Sequence, residues 1–188
     1  MKDVLKHIAI IQTGIFAPTG TPSEIIYLQS KHFDEAGTLT SKLHPSLKLN
    51  SKTEKHLLKH GDVLFAAKGS KNFATCYESN NGLCVASSTF LVIRIKEEFR
   101  DKLIPEFLMW FINHSNTQML LKRRAKGTAL PSISKALLQQ LEISIPSIFR
   151  QQFILKIETL RRKELDIQKQ IESIRDRYIQ YSLTHALK

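Results

Sequence analysis

The sequence predicts an α+β fold, in which a strand-rich body with short helices is followed by a long C-terminal coiled-coil helix. Three observations predict it. Residues 1–100 contain short β-prone runs separated by turn residues. From Pro105 onward the apolar residues recur with a helical period. From Phe149 to the end there is neither proline nor glycine, and apolar residues repeat in heptads.

The strands of the body are predicted from apolar runs that are bounded by turn residues. These runs are Glu24–Leu28, Val63–Ala67, Phe73–Tyr77, Leu83–Val85 and Thr89–Ile95. Asn81-Gly82 predicts a two-residue hairpin between the third and fourth runs, because Asn-Gly favours the turn that such hairpins use. This pairing would place Cys76 opposite Ser87.

The helical part of the body is predicted to begin at Pro105, which suits the first turn of a helix. The apolar residues that follow suit one buried stripe, and the stretch ends in the basic cluster Lys122 to Lys126. Ser132 or Ser134 can then cap a short helix that runs to about Gln140. Leu141–Ile145 is a final strand, stopped by Pro146.

The last 40 residues predict a helix with an apolar seam along one side. Its positions are spaced alternately four and three apart, and all but Glu164 are apolar or aromatic. The seam, which is the candidate dimerisation surface, consists of Phe153, Ile157, Leu160, Glu164, Ile167, Ile171, Ile174, Tyr178 and Tyr181. A helix packed on its own domain is the alternative, but its 3.6-residue period should drift off this register. The domain boundary therefore falls between residues 148 and 149.

The composition indicates a polyanionic partner. The 188 residues carry a net charge of +11, and 42% of them are hydrophobic, which is enough for a packed core. A protein this basic often binds nucleic acid, although a generally basic proteome would also account for the charge. The body, residues 1–148, holds 19 Lys and Arg against 12 Asp and Glu, so most of the excess lies there.

Two turn regions of the body combine cations with small polar residues, namely 68–72 and 122–128. Lys and Arg bind phosphates, while Arg, Asn and Ser can also read base edges. The candidate DNA-contact residues are Lys68, Ser70, Lys71, Asn72, Arg123, Arg124, Lys126 and Thr128. The arginines and Asn72 are the better candidates for reading bases, and the lysines for binding phosphates. Each loop by itself could also be an ordinary solvated turn.

No motif of enzyme chemistry is found in the sequence. No two glycines are spaced as G-x-G, which excludes a dinucleotide fingerprint and a phosphate-binding loop of that type. His56 and His60 are four residues apart, but the glutamate of the H-E-x-x-H zinc motif is missing between them. We therefore expect a non-catalytic protein without a metal or other cofactor.

The chain is expected to be cytoplasmic. Its two cysteines, Cys76 and Cys84, are too few for a disulfide scaffold or a four-cysteine zinc site. The apolar run Ile8–Ile11 is too short for a secretory signal or a membrane span. A reducing compartment and no association with a membrane are the expectation.

Several short motifs follow one another in an order typical of one family. They are Ile11–Gly14; Glu24–Leu28 with Phe33–Gly37; Leu58–Leu64, which is similar to K-x-G-D-hydrophobic-L; Pro105–Leu108 with Gly127-Thr128; Ile133–Leu141 with Ile143–Pro146; and Phe149–Gln152. This ordered set resembles the specificity subunit of bacterial type I restriction-modification systems over nearly the whole chain. Gln151 departs from the pattern, because the family usually has glutamate there.

The resemblance implies a DNA target recognition domain over residues 1–148 and a spacer and dimerisation helix over residues 149–188. A full specificity subunit usually has two of each, so it also implies a half-size form that works as a homodimer through antiparallel helices. The implied partners are double-stranded DNA, a DNA methyltransferase modification subunit and, in systems that have one, a restriction subunit. The implied target is bipartite, and methyl transfer and cleavage would belong to the partners.

Three other functions stay open at this point. The first is a coiled-coil protein-interaction adaptor, and the second is an RNA-binding module. The third is a nuclease without a recognisable motif. An RNA module predicts aromatic stacking platforms beside the basic turns, whereas aromatic residues make up only 8% of the chain and do not cluster there in the sequence.

Overall fold

The structure is a computed structural model, and it describes residues 1–18, 24–69, 72–125 and 132–186. The chain divides into two compact units, Met1–Ile148 and Phe149–Lys188. The first unit, which we continue to call the body, mixes strands and short helices, and one helix forms the second. This arrangement confirms the predicted α+β fold with a long C-terminal helix.

Nine strands are described in the body. They are β1 Lys2–Val4, β2 Ala9–Thr13, β3 Ile25–Leu28, β4 Pro45–Leu47, β5 Val63–Ala66, β6 Ala74–Cys76, β7 Cys84–Ala86, β8 Phe90–Ile95 and β9 Glu142–Ser144. The largest sheet has the order β2-β8-β5-β6 and is antiparallel throughout. A second sheet has the order β4-β3-β7, in which β3 and β7 are parallel. Strands β1 and β9 form an antiparallel pair.

Six α-helices are described along the chain. They are α1 Leu5–Ile8, α2 Ser51–Glu54, α3 Pro105–Asn113, α4 Ser115–Arg124, α5 Lys135–Gln139 and α6 Ile148–Ala186. Pro105 opens α3, as predicted. Ser134 caps α5 by accepting a hydrogen bond from the Leu137 amide at 3.1 Å. This capping selects Ser134 from the two serines that the sequence offered.

The prediction of one continuous helical stretch after Pro105 is wrong, because the chain breaks between α3 and α4. His114 has an extended backbone conformation, with φ −60° and ψ 138°. Its ring nitrogen Nδ1 accepts a hydrogen bond from the Asn116 amide at 3.4 Å, so His114 acts as the N-cap of α4. The break redirects the helical stripe: Leu121 is buried, whereas Leu120 is exposed.

The predicted hairpin at Asn81-Gly82 is also wrong. Strand β6 pairs with β5, with Cys76 opposite Val63, and β7 pairs with β3 in the other sheet. The residues Ser79–Asn81 form a 3₁₀ turn that carries the chain from one sheet to the other. Gly82 ends this turn with a φ of +79°, so its conformational freedom is used for the crossover.

Three phenylalanine rings form the centre of the larger core. Phe33, Phe73 and Phe90 have ring centroids 5.6–6.1 Å apart. All four residues of β5 are buried, so this strand has a continuous apolar sequence and no alternation. Each phenylalanine removed from water contributes about 2 kcal/mol or more. The core therefore fixes β5 and β8 in the middle of the main sheet.

The turn before β5 is held by a buried carboxylate, that of Asp62. Gly61 has a φ of +82°, and the Lys59 amide donates to Asp62 Oδ2 at 2.8 Å. Arg94 on β8 donates to both carboxylate oxygens, at 2.7 Å from Nε and 2.5 Å from Nη2. The hydrogen bond with Asp62 raises the pKa of the Arg94 guanidinium. The motif Lys59-His60-Gly61-Asp62 thus has a structural role, since it sets the register of β5 against β8.

Candidate nucleic-acid interface

The first basic loop begins at the carboxyl end of β5. Lys68 is exposed, and Gly69 has a φ of +110° with open space where a side chain would lie. Ser70 and Lys71 lie outside the described residues. Asn72 returns the chain to β6: its Nδ2 donates to the Ala66 carbonyl at 2.9 Å. Lys68 is therefore presented to solvent at a fixed position.

The side chain of Asn72 is less accessible than a side chain that contacts DNA bases should be. It is half-buried, and its Oδ1 is buried without a hydrogen-bond partner among the described residues. Its amide nitrogen is already bonded to backbone within the loop. In this geometry the Asn72 side chain stabilises the conformation of the loop and so positions its neighbours.

Three strand termini meet at this end of the main sheet. Strands β2 and β5 both end beside the first residue of β8, since Gly14 N donates to the Phe90 carbonyl at 3.0 Å and Ala67 N to the Thr89 carbonyl at 2.9 Å. The turn Ser87–Thr89 lies between them, and the hydroxyl oxygens of Ser87 and Thr89 are 2.7 Å apart. Sequence reasoning missed this turn, although Ser87-Ser88-Thr89 is a polar run between two apolar strands. We call these ends together the loop edge, comprising residues 13–16, 67–69 and 87–89.

The chain that follows the second basic segment contacts the same loop edge. The Ile133 amide donates to the Ala67 carbonyl at 3.0 Å, immediately before Lys68. Lys126 and Thr128 lie outside the described residues, and Ile133 is the first buried residue described after them. The flanks of the two loops that the sequence selected are therefore joined by a hydrogen bond, even though they are 66 positions apart.

The described cations of the second segment end helix α4. Lys122, Arg123 and Arg124 are exposed in its last turn, where positive charge offsets the helix dipole. Leu121 beside them is 1% exposed and anchors this turn to the core. The pKa of Glu142 is lowered mainly by its hydrogen bond to Lys2 and to a smaller degree by the charge of Arg124. Arg124 thus lies within the field of a carboxylate.

Metal-ligating residue types do not cluster in the described part of the chain. Across these residues no three His, Cys, Asp or Glu side chains come together as metal ligands. His56 is half-buried in the turn after α2 and does not share a helix with His60. Burial raises the pKa of the Cys84 thiol to about 11, which leaves it protonated at neutral pH.

Comparison with known proteins decides the family. The model of the type I restriction modification DNA specificity domain matches residues 30–180. The chain belongs to this family. No curated protein matches the sequence.

Solved structures of specificity subunits share the fold. The HsdS subunit from Thermoanaerobacter tengcongensis is 16% identical with a TM-score of 0.62, and the match covers 90% of this chain and 39% of that one. The S subunit from M. genitalium is 14% identical with a TM-score of 0.59, and the match covers 88% and 40%. A chain from a study of assembly and conformational transition in a type I R-M system is 16% identical with a TM-score of 0.66, covering 92% and 40%. This specificity-domain chain spans about two-fifths of the length of these relatives.

The helix of this specificity-domain protein exposes the whole predicted seam. The eight apolar seam side chains are between 45% and 71% exposed, and Glu164 is exposed with them. Glu158 pairs with Arg162 at 3.1 Å on the flank, which is an i,i+4 contact. None of the helices that the structure describes is long and apolar enough to cross a membrane.

Proposed function

We propose that this chain recognises double-stranded DNA sequence as the specificity subunit of a restriction-modification complex. The observation that carries the proposal is the hydrogen bond between Ile133 and Ala67, which brings the flanks of both basic loops to the loop edge. The body that presents them has 19 Lys and Arg against 12 Asp and Glu. Such a surface attracts phosphates, and the arginines add groups that can read bases.

The contact residues divide by chemistry. We assign base contacts to Arg123 and Arg124, because guanidinium groups form bidentate hydrogen bonds with guanine. Phosphate contacts fall to Lys68, Lys71 and Lys126. Ser70 and Thr128 add hydroxyl contacts, and Asn72 positions the first loop. Catalysis belongs to partner subunits, so this chain acts without a cofactor.

The second part of the proposal is dimerisation through α6. The helix has 39 residues and is about 58 Å long. Two copies pairing antiparallel through the exposed seam would bury side chains that are otherwise in water. From Phe153 to Tyr181 the seam is about 42 Å long, slightly more than one turn of DNA. The homodimer would then read two short motifs about one to one and a half turns apart, and dock a methyltransferase modification subunit and, where present, a restriction subunit.

A salt titration of DNA binding tests the recognition role. The Arg123→Ala and Arg124→Ala double variant should bind a mixed-sequence duplex more weakly, and its dependence of log affinity on log salt should flatten by about one to two. The matched control is Arg100→Ala with Lys102→Ala, two exposed cations after the far end of β8. This control should keep the wild-type slope to within about half a contact-equivalent.

Other outcomes of the same titration separate the rival functions. An unchanged affinity and slope for the arginine variant would remove the second loop from the site. Failure of the wild-type chain to bind any duplex would favour the adaptor. Tighter binding to single-stranded RNA than to duplex DNA would favour the RNA module, and cleavage of the DNA with magnesium present would reveal a nuclease.

A further inference from the structure

We infer that a second patch of the body, formed by Phe16, Lys48 and Lys52, contacts the same DNA duplex beside the two basic loops. The Phe16 ring would meet deoxyribose and thymine methyl groups, and the two lysines would meet phosphates. We call these three residues the aromatic patch. The inference rests on the proposed DNA-binding function and deepens it, because the motifs in the sequence include none of the three.

Phe16 is an exposed ring on a fixed backbone. Its side chain is 77% exposed, whereas Ile15 immediately before it is 6% exposed. The Ile15 amide donates to the Ala86 carbonyl at 3.0 Å, and its carbonyl accepts from the Tyr27 hydroxyl at 2.8 Å. The body gains nothing from a large ring held in water, and each buried aromatic would contribute substantially. One exposed ring alone is common, so the surroundings decide its role.

The surroundings combine an apolar floor with a cationic rim. Phe16 lines a groove of about 350 Å³ together with Leu47, Lys48 and Lys52. Ile15 and Leu47 below it belong to the buried cluster around Val85. Both lysines are exposed, and no acidic side chain is among the described residues that line the groove. On a paired duplex the Phe16 ring can contact deoxyribose and thymine methyl groups while the lysines pair with phosphates, so apolar contact and ion pairing act on one ligand.

Backbone hydrogen bonds place Phe16, one of the three residues of the aromatic patch, next to the first basic loop. Ile15 is bonded to Ala86, and Ala67 is bonded to Thr89. Phe16 and Lys68 therefore each follow a residue tied to the same short segment. The Cα atoms of residues 86 and 89 can be at most about 11 Å apart, which is less than the width of a major groove, about 12 Å. One duplex can thus touch both sides of the Ser87–Thr89 turn.

The aromatic patch is tested by fluorescence anisotropy with the full chain and a mixed-sequence duplex. Phe16→Ala should raise the dissociation constant about fivefold, the loss expected for one partly buried ring, and leave the salt slope unchanged. Lys48→Ala with Lys52→Ala should flatten the slope by about two phosphate contacts. The controls are Leu83→Ala, a 53% exposed side chain at the far end of β7, and Arg100→Ala with Lys102→Ala. The controls should bind within about twofold of wild type.

A second measurement uses the ring position as a probe. In the Phe16→Trp variant, the tryptophan emission should change on addition of the duplex, in excess of any change that the native Trp110 shows in wild type. Wild-type affinity for Phe16→Ala and for the lysine pair would overturn the inference. If the Arg123→Ala and Arg124→Ala variant still loses affinity, the proposed function survives that result. If wild type binds no duplex, both fall together.

Discussion

The large apolar side chains of the body are mostly buried, whereas those of helix α6 are mostly exposed. In the body the largest side chains, including Phe65, Phe73 and Phe90, are essentially inaccessible to water. In α6, Ile167 is 56% exposed and Tyr178 is 71% exposed. Buried apolar surface supplies most of the stability of a folded domain, so the body can be stable by itself. A helix with an exposed seam takes most of its stability from a packed partner, so the proposed homodimer depends on this seam.

The largest expected effect comes from placing a charge in the seam. Ile171→Asp should raise the dissociation constant of the proposed homodimer by at least about 1000-fold, because each copy would bury an unpaired carboxylate. Sedimentation equilibrium of the full chain measures it. Gln168→Asp adds the same charge at an exposed position outside the seam, and it should change the dimer constant less than about fivefold.

Two results would contradict dimerisation through the seam of α6. Wild-type chain that sediments as a monomer at micromolar concentration would show that the seam has no second copy as partner. An Ile171→Asp variant that still dimerises as well as Gln168→Asp would place the interface elsewhere.

The second prediction concerns the body alone. Asp62→Ala should lower the free energy of unfolding by about 3 kcal/mol, because it leaves the Arg94 guanidinium without its carboxylate and frees the turn before β5. Trp110, the single tryptophan, lies in the body and reports urea unfolding of that unit. Dimerisation through α6 should persist.

The control for this variant is an ion pair at the surface. Glu97→Ala breaks the contact between Glu97 and Arg100, 3.1 Å apart and largely exposed. Its effect on unfolding should stay under about 1 kcal/mol. Equal effects of Asp62→Ala and Glu97→Ala would contradict the structural role of the buried carboxylate.

The same contrast between body and helix marks what sequence alone can predict. Local patterns predicted β5, β8 and the entire helix α6, because a buried strand and a heptad seam are each written in consecutive residues. The partner of β6 was predicted wrongly. Strand pairing depends on residues far apart in the chain, and the Asn81-Gly82 signal describes only the turn. The same holds for His114. Its capping of α4 depends on an extended backbone conformation, which the spacing of apolar residues does not indicate.

The candidate site was predictable in its parts and not in its assembly. Charge and small polar residues selected the loops at 68–72 and 122–128. The hydrogen bond from Ile133 to Ala67 joins residues far apart in the chain, so local sequence does not predict it. Phe16 carries no periodic signal, because it is one aromatic residue in a turn. Only the fold brings it beside Lys48 and Lys52. Whether these residues contact DNA stays a prediction.

A third prediction tests how tightly the loop edge is built. A side chain at Gly14 would meet the Ala86 carbonyl oxygen at 2.5 Å, and backbone cannot move aside easily. Gly14→Ala should therefore lower the free energy of unfolding by about 2–3 kcal/mol. Gly69→Ala meets open space and is strained only by its φ of +110°, so it should lose about 1 kcal/mol. Urea unfolding followed at Trp110 compares them, and a reversed order would contradict the close approach of residues 14 and 86.

The smallest effect separates the two arginines that end α4. Arg124 lies in the field of Glu142, whose pKa is lowered first by Lys2 and then by Arg124. A cation that is partly compensated attracts a phosphate less, so Arg123→Ala should weaken duplex binding about threefold more than Arg124→Ala does at low salt. Glu142→Gln should tighten binding about twofold by removing the competing carboxylate, and it should do so less in the Arg124→Ala background. Anisotropy at two salt concentrations measures all of these. If Glu142→Gln acts equally in both backgrounds, the carboxylate works through the general charge of the body, and Arg124 has no special relation to it.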